Sequence, residues 1–317
     1  MTRAVKCRIS TTPKNSAQRP NRFSTRRRTP DKGWHCVVTC CDTRAVDDYL
    51  EVNKANWESR VPHHLKGYDL DHFRSDPSFL SDVVCFDLPR LGDIAGLDVV
   101  HLQCHIGTDT MSLSRLGARS VTGIDFSPSA VHAARMLARE VGANVTYVES
   151  DVYDAVDALG AEGFDLVFTG IGALCWLPDI LHWAEVVAQL LRPGGRLFLR
   201  EYHPVLWALS DPRPDGLLTL EYPYFETEGV PFTETHSYVE HEEELTSPDF
   251  LSFNHGLGEI ITALMLAGLD LTGFEEHDSV PSNPFGDAME DIGGGEYRLR
   301  DNPRRLAASY TLQAVKR

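Results

Sequence analysis

The run Leu97-Asp98-Val99-Val100-His101-Leu102 is short and apolar, and it stops at a turn, Gln103-Cys104-His105-Ile106-Gly107. A helical pattern follows from Thr108 to Leu116. Eighteen positions after Gly107, a second short run, Ser120-Val121-Thr122-Gly123-Ile124, ends on an acid, Asp125. Strand, turn, helix, strand and acid form the nucleotide-binding half of a doubly wound sheet. This constrains the chain more than any other feature does.

The alternation continues downstream. Ser127-Pro128 supplies a helix cap and a proline at the first helical position, and that helix runs to about Val141. Strand 3 is Asn144 to Val148, ending near Asp151, with a short helix expected over 152–159. Strand 4 is Phe164 to Phe168, ending in Thr169-Gly170-Ile171-Gly172. Pro178 is expected to open a helix that ends at Leu191, and Arg192-Pro193-Gly194-Gly195 turns into strand 5, Arg196 to Arg200. Regular βα alternation predicts an α/β, Rossmann-like, mostly parallel sheet with helices on both faces.

Before this unit, residues 46–95 read as helical. Tyr49, Val52, Trp57 and Val61 recur near helical spacing, and Pro62-His63-His64 is expected to end that pattern. The segment is expected to form a lid over the cofactor crevice, with Tyr49 and Trp57 as contacting aromatics. After strand 5, residues 205–254 are aromatic and acidic. They read as an insertion that walls the active site, with strand-like pieces at Leu217-Leu218-Thr219-Leu220 and Ser237-Tyr238-Val239. A helix is expected from His255 to Leu266, stopped by Gly268, and strand 6 from Leu269 to Phe274. Strand 7 lies within Leu306–Val315. A long loop without a helix between those two strands predicts an antiparallel pair at the sheet edge.

Composition bounds the remainder. Of 317 residues, 24% are charged and 42% hydrophobic, the balance of an ordinary globular protein. No apolar run approaches the roughly 18 residues of a membrane span. The net charge of -16 argues against a broad nucleic-acid face. Residues 1–44 depart from the average, with eleven Lys/Arg and two Asp, against 19 basic and 44 acidic residues in the rest. Residues 1–45 are therefore expected to be a disordered basic leader, with 46–317 as the folded domain and Val46 as a possible true initiator. Seven cysteines without framework spacing fit a reduced, cytoplasmic compartment. His35-Cys36 and Cys40-Cys41 lack the paired spacing of a zinc site, so no metal is expected.

The chemistry-bearing residues sit at the carboxyl ends of the strands, where open α/β sheets bind ligands. Asp125 is placed to accept both hydroxyls of a ribose, because Ser127 is the better cap for the following helix. Phe126 follows it. Asp151, with Val152 beside it, is placed to take the exocyclic amine of an adenine. Thr169-Gly170 offers backbone carbonyls to an ammonium. The lone Gly107 argues against a pyrophosphate, which needs more bare backbone.

Leu102-Gln103-Cys104-His105-Ile106-Gly107, Asp125, Ser150-Asp151-Val152 and Leu191-Arg192-Pro193-Gly194-Gly195 together resemble the class I S-adenosylmethionine-dependent methyltransferase family. The likeness covers about residues 46–317, and the Arg-Pro-Gly-Gly turn is its more specific marker. The resemblance implies a seven-stranded sheet whose antiparallel last strand is inserted beside strand 5. It also implies S-adenosylmethionine held at Asp125 and Asp151. The first family motif usually reads acid-x-Gly-x-Gly-x-Gly. His101, Gln103 and His105 stand at the acid and first two glycine positions here, as in a Leu-Gln-Cys-His subgroup, so Gln103 and His105 are expected to contact the cofactor through their side chains.

Methyl transfer asks for alignment and, where the acceptor must lose a proton, a base. Glu201 and His203, just past strand 5, and His255, with Asn254 beside it, are the catalytic candidates. Trp176, Trp207, Tyr222, Tyr224 and Phe225 are candidates to line a pocket for a small-molecule acceptor. Two other readings compete: a non-catalytic cofactor-binding protein, and a nicotinamide-dependent oxidoreductase, which should carry a fuller glycine fingerprint.

Overall fold

A computed structural model describes residues 49–225, 228–239 and 241–317. The leader, Val46 and the His35, Cys36, Cys40 and Cys41 group lie outside these residues. Three helices precede the sheet: α1 (Tyr49–Gly67), α2 (Leu70–Ser75) and α3 (Asp82–Leu91). The βα unit follows as β1 (Asp98–Leu102), α4 (Thr108–Arg115), β2 (Ser120–Asp125), α5 (Pro128–Val141), β3 (Val145–Glu149), α6 (Ala155–Leu159), β4 (Phe164–Thr169), α7 (Ile180–Leu190) and β5 (Leu191–Tyr202). The remaining elements are α8 (Pro204–Trp207), β6 (Val230–Thr233), β7 (Asp249–Ser252), α9 (Leu257–Leu266), β8 (Leu269–His277), β9 (Ser279–Val280), β10 (Met289–Gly293), β11 (Glu296–Leu299) and β12 (Ser309–Lys316).

The main sheet has seven strands in the order β3-β2-β1-β4-β5-β12-β8. β1 to β5 are parallel, and β12 runs antiparallel to both β5 and β8. This is the expected α/β sheet with the last strand inserted beside β5. Adjacent residues on β1 point to opposite faces, as a period of two requires. Val99 packs with Val84 and Leu91 of α3 and Leu113 of α4, whereas Val100 packs with Trp183 and Val187 of α7 and Ile260 of α9. Both valines are fully buried. Burial on both faces explains why these strands read as continuous apolar runs.

Several element boundaries differ from those expected. α1 does not end at Pro62 but continues to Gly67. Pro62 removes one backbone donor, and the helix is held through that point by the side chains of Asn53, Asn56, Arg60 and His64, all buried. Pro178 does not open α7. Asp179 caps it, its carboxylate accepting from the His182 amide at 2.9 Å. His255 lies outside α9, whose N-cap is Gly256.

Leu217–Leu220 and Ser237–Val239 are not strands. Only a single bridge joins Leu220 to Leu209, and the hairpin of this region is β6 with β7. β8 extends to His277, and the connection to β12 carries a three-stranded sheet, β10-β11-β9. That sheet closes over its own apolar cluster of Leu206, Val280, Phe285, Met289 and Leu299. Among the described residues no helix is long and apolar enough to cross a membrane.

Candidate active site

The turn after β1 is built from three positive-φ residues: Gln103 (54°), His105 (48°) and Gly107 (79°). Two are not glycine, so the turn carries backbone strain of the kind that gathers at ligand sites. Surrounding bonds hold it. The Gln103 side-chain amide donates to the Ala173 carbonyl at 3.0 Å, and the His105 amide donates to Asp125 Oδ2 at 2.8 Å. At Gly107 a β-carbon would overlap the Tyr147 hydroxyl, so glycine is required on steric as well as conformational grounds. That hydroxyl donates to the Gly107 carbonyl at 3.1 Å.

β2 delivers Asp125 to the same place. Its second oxygen accepts from the Ser127 amide at 2.9 Å, and Ser127 caps α5, accepting from Ala130. Asp125 is 6% exposed, and burial pushes its carboxyl up to about 6 against the pull of those two amide bonds. Each oxygen has one protein partner and retains a second lone pair. Phe126, next along the chain, is half-buried.

At the end of β3, Asp151 accepts from the Tyr153 amide at 2.8 Å, and Val152 is part of the core. Asp151 also acts electrostatically on Tyr49, whose phenol is pushed up by burial first and then by Asp151, Asp154 and Asp179. At the end of β4, Thr169 is fully buried with no partner for its hydroxyl. A β-carbon on Gly170 would stand 3.5 Å from His101 and 3.6 Å from Asp109. Gln103 Oε1 is likewise buried without a partner. The ends of the neighbouring strands β1, β2 and β4 thus carry a buried carboxylate, two orphaned oxygens and bare backbone.

α1 packs over the turn after β1. The Trp57 ring lies 5.0 Å from the His105 ring and 5.2 Å from the Trp176 ring. His64 Nδ1 is 2.7 Å from His105 Nε2, and His64 Nε2 is 2.7 Å from Ser237 Oγ. Burial holds both imidazoles neutral. It drives His64 well below its ordinary value, and, with Arg60 as a lesser cause, takes His105 down to about 3. Arg60 sits among the rings of Trp57, Trp176 and Phe250 and donates to Asn56 Oδ1 at 2.7 Å and Ser237 Oγ at 3.2 Å. Glu58 accepts from Ser127 Oγ and from the Ser129 amide at the start of α5. Glu58, Arg60, His64 and Ser237 bond around these strand ends and are not marked as site residues by the sequence. Their only signal is a run of polar residues at helical spacing, Asn53, Asn56, Arg60, His64.

The catalytic candidates are committed elsewhere. Glu201 Oε1 accepts from the amides of Gly172 and Tyr202, and Oε2 from those of Ala173 and Leu174, all at 2.7–2.8 Å. Burial raises its carboxyl while these four bonds lower it. A carboxylate with four amide donors pins the 172–174 loop and has no lone pair left for a substrate proton. The expectation is of a base; the bonding found here is that of a loop anchor.

His203 Nδ1 accepts from the Val205 amide at 3.1 Å, capping α8, and its Nε2 lies 3.1 Å from Glu276. His255 binds the Leu177 carbonyl at 2.7 Å and Glu259 at 3.2 Å, so both its nitrogens are used. Asn254 donates to the carbonyls of Pro204 and Pro223. Of the aromatics, Trp176 packs on Trp57 and Trp207 stacks at an angle on Tyr202. Tyr222 packs on Phe232, and Tyr224 packs on the exposed Phe225.

Residues 100–197, from mid-β1 into β5, match the family model described as a methyltransferase domain. That segment of the chain is therefore similar to a methyltransferase domain. Its likeness to whole curated proteins is partial. The chain is 37% identical over 121 residues to a ubiquinone biosynthesis O-methyltransferase of Xanthomonas oryzae pv. oryzae, covering 37% of this chain and 49% of that protein. A relative of the same name from Methylobacterium sp. is 34% identical over 165 residues, 50% of this chain and 62% of the relative. The chain thus spans about half the length of the curated relatives it matches.

Two solved structures share the fold at 18% identity, covering 74% of this chain. A putative S-adenosylmethionine-dependent methyltransferase from Listeria monocytogenes has a TM-score of 0.54 and 97% of its own length covered, and one from Mesorhizobium loti has a TM-score of 0.52 and 98% covered. Within the matched segment, the orphaned Gln103 and Thr169 oxygens and the free lone pairs of Asp125 are acceptors. They suit a ligand that presents an ammonium and a sugar diol.

Proposed function

We propose that this chain binds S-adenosylmethionine in a crevice at the ends of β1, β2 and β4, roofed by α1, and transfers its methyl group to a small-molecule acceptor. The observation that carries the reading is Asp125, a buried carboxylate at the end of β2 with one amide bond per oxygen, facing a turn with a single glycine. A ribose diol would complete its hydrogen bonding, and nothing in that turn is built for a pyrophosphate. Gln103 Oε1 and Thr169 Oγ1 would serve the ammonium, and Asp151 the adenine amine. Tyr49, Trp57, His105, Gly107, Phe126, Val152 and Gly170 would shape the surrounding surface. α1 acts as a lid that must open for entry, and the 205–254 insertion acts as the acceptor wall.

The bound cofactor would supply a sulfonium, already a good leaving group. The protein's part is then to align the acceptor and exclude water. Glu201 supports this by fixing the 172–174 loop. His203 and His255 are held by other partners, so the reaction proceeds by positioning and suits an acceptor that is nucleophilic without a protein base. Thermal shift tests the reading. S-adenosylhomocysteine at about 100 times its dissociation constant should add about 2.7 kcal/mol of apparent stability. Stabilisation by NAD instead would favour the oxidoreductase, and binding without methylation of any compound in a broad panel would favour a non-catalytic protein.

A further inference from the structure

A recess lies beyond the loop that Glu201 pins. Leu174 and Phe253 are among its apolar walls, and Glu201, Tyr310, Trp207, Asn254 and His255 are among its polar lining. Three of these residues hold a buried polar atom without a partner: the Tyr310 hydroxyl, Trp207 Nε1 and Asn254 Oδ1. Tyr310 is fully buried and Asn254 is 9% exposed. The orientation of Asn254 is settled by its neighbours. Its nitrogen lies 3.0 Å from the Pro204 carbonyl and 2.9 Å from the Pro223 carbonyl, both acceptors, so its own carbonyl is left for the recess. Buried polar atoms are rarely orphaned, and three in one lining ask for a common partner. The free space there is about 10 Å³, room for one water-sized oxygen.

We propose that this recess seats one hydroxyl oxygen of the methyl acceptor, so that the acceptor is a hydroxylated molecule. The proposal rests on the methyltransferase reading above and adds the substrate class. A phenol O–H and an indole N–H are donors, and an amide carbonyl is an acceptor. A hydroxyl accepts two hydrogen bonds and gives one, which matches this set. An ether or ketone oxygen accepts both donors but leaves Asn254 unpaired. An ammonium leaves both donors unpaired. A carboxylate has no proton to give Asn254 and stands beside Glu201. The recess is also coupled to the cofactor crevice. Glu201 Oε2 holds the amides of both Leu174, the recess wall, and Ala173, whose carbonyl takes Gln103.

The test uses the full chain loaded with S-adenosylhomocysteine and titrated by NMR with phenol and cyclohexanol, an aromatic and an aliphatic hydroxyl. Anisole and toluene are the controls. At least one hydroxyl probe should bind, at least tenfold more tightly than anisole or toluene. Tyr310→Phe and Trp207→Phe should each weaken it about tenfold while leaving S-adenosylhomocysteine affinity unchanged. The Tyr310 hydroxyl has no protein partner, so its removal takes no bond from the fold, and the tryptophan variant gives an independent reading. Hydroxyl binding that neither substitution alters would overturn the proposal. So would the absence of hydroxyl binding in a chain that does bind S-adenosylhomocysteine, since the recess then holds only a water. Failure of the wild-type chain to bind S-adenosylhomocysteine would overturn the cofactor reading itself, and the substrate class with it.

Discussion

His64 in α1 and His105 in the turn after β1 are joined ring nitrogen to ring nitrogen at 2.7 Å. α1 is therefore bonded directly to the strained backbone beneath it. One imidazole must donate and the other accept, and His64 passes its second nitrogen to Ser237. His64→Ala removes both links. It should cost about 1–3 kcal/mol and release α1 selectively. Hydrogen exchange should accelerate across Tyr49–Gly67 and stay unchanged in β1, β4 and β5.

The buried imidazoles make stability acid-sensitive. His101 and His105 are both held down to about 3, and His64 is also lowered, chiefly by burial. An unfolded histidine takes up its proton near 6.5. These groups therefore contribute stability that is complete above about pH 6.5 and lost as pH falls, because the unfolded chain then binds more protons. Asp125, raised to about 6, acts in the opposite sense between its unfolded value and 6. Asp87, which burial raises to about 8, opposes the imidazoles as well, and His277, lowered to about 4, adds to them, so the share that His64 contributes to the slope of the urea midpoint between pH 7 and pH 5 is read by substitution. His64→Gln should shift that slope toward less loss on acidification.

Asp125 gives the cofactor its own pH dependence. Its ionised carboxylate accepts from a diol, and its protonated form loses an acceptor. S-adenosylhomocysteine affinity should therefore rise as pH increases through about 6, and Asp125→Asn should bind weakly with no such inflection. Calorimetry at pH 5, 6 and 7 reads both.

Gly107 tolerates no side chain. Its φ of 79° is a left-handed conformation, and a β-carbon would meet the Tyr147 hydroxyl. Gly107→Ala should destabilise the chain by about 2–4 kcal/mol, measured by urea denaturation.

Glu201→Gln separates a loop anchor from a base. The glutamine presents an NH2 where two backbone amides need an acceptor. Stability should drop by roughly 2–3 kcal/mol, with faster exchange of the 172–174 amides. A base would instead lose turnover at unchanged stability.

The parallel strands were legible because each is short, buried on both faces and closed by an acid, a glycine or a cap. Val99 and Val100 are both fully buried, so the run itself carries the signal. The place of Asp125 at the end of β2 and of Asp151 just past β3 was also legible. The bonding of α1 was not. Asn53, Asn56, Arg60 and His64 read as a solvated helix face, but their partners arrive from far along the chain: the Leu251 carbonyl 198 residues on, that of Ser247 at 191, and Ser237 at 173. No local pattern announces such partners. Glu201 shows the same limit. Its strand end was visible, but the four amides that occupy it come from a loop 27–29 residues earlier and from its own neighbour. In the insertion, Val230-Pro231-Phe232-Thr233 hid a strand behind a proline that edge strands tolerate.

The most direct measurement is isothermal calorimetry of the full chain at pH 7 with S-adenosylhomocysteine and, separately, NAD. One saturable site is expected for S-adenosylhomocysteine, weakened at least tenfold by Asp125→Ala in a chain that remains folded, with no heat from NAD. Equal affinity in wild type and Asp125→Ala, or saturable binding of NAD alone, would contradict a crevice built around a sugar diol.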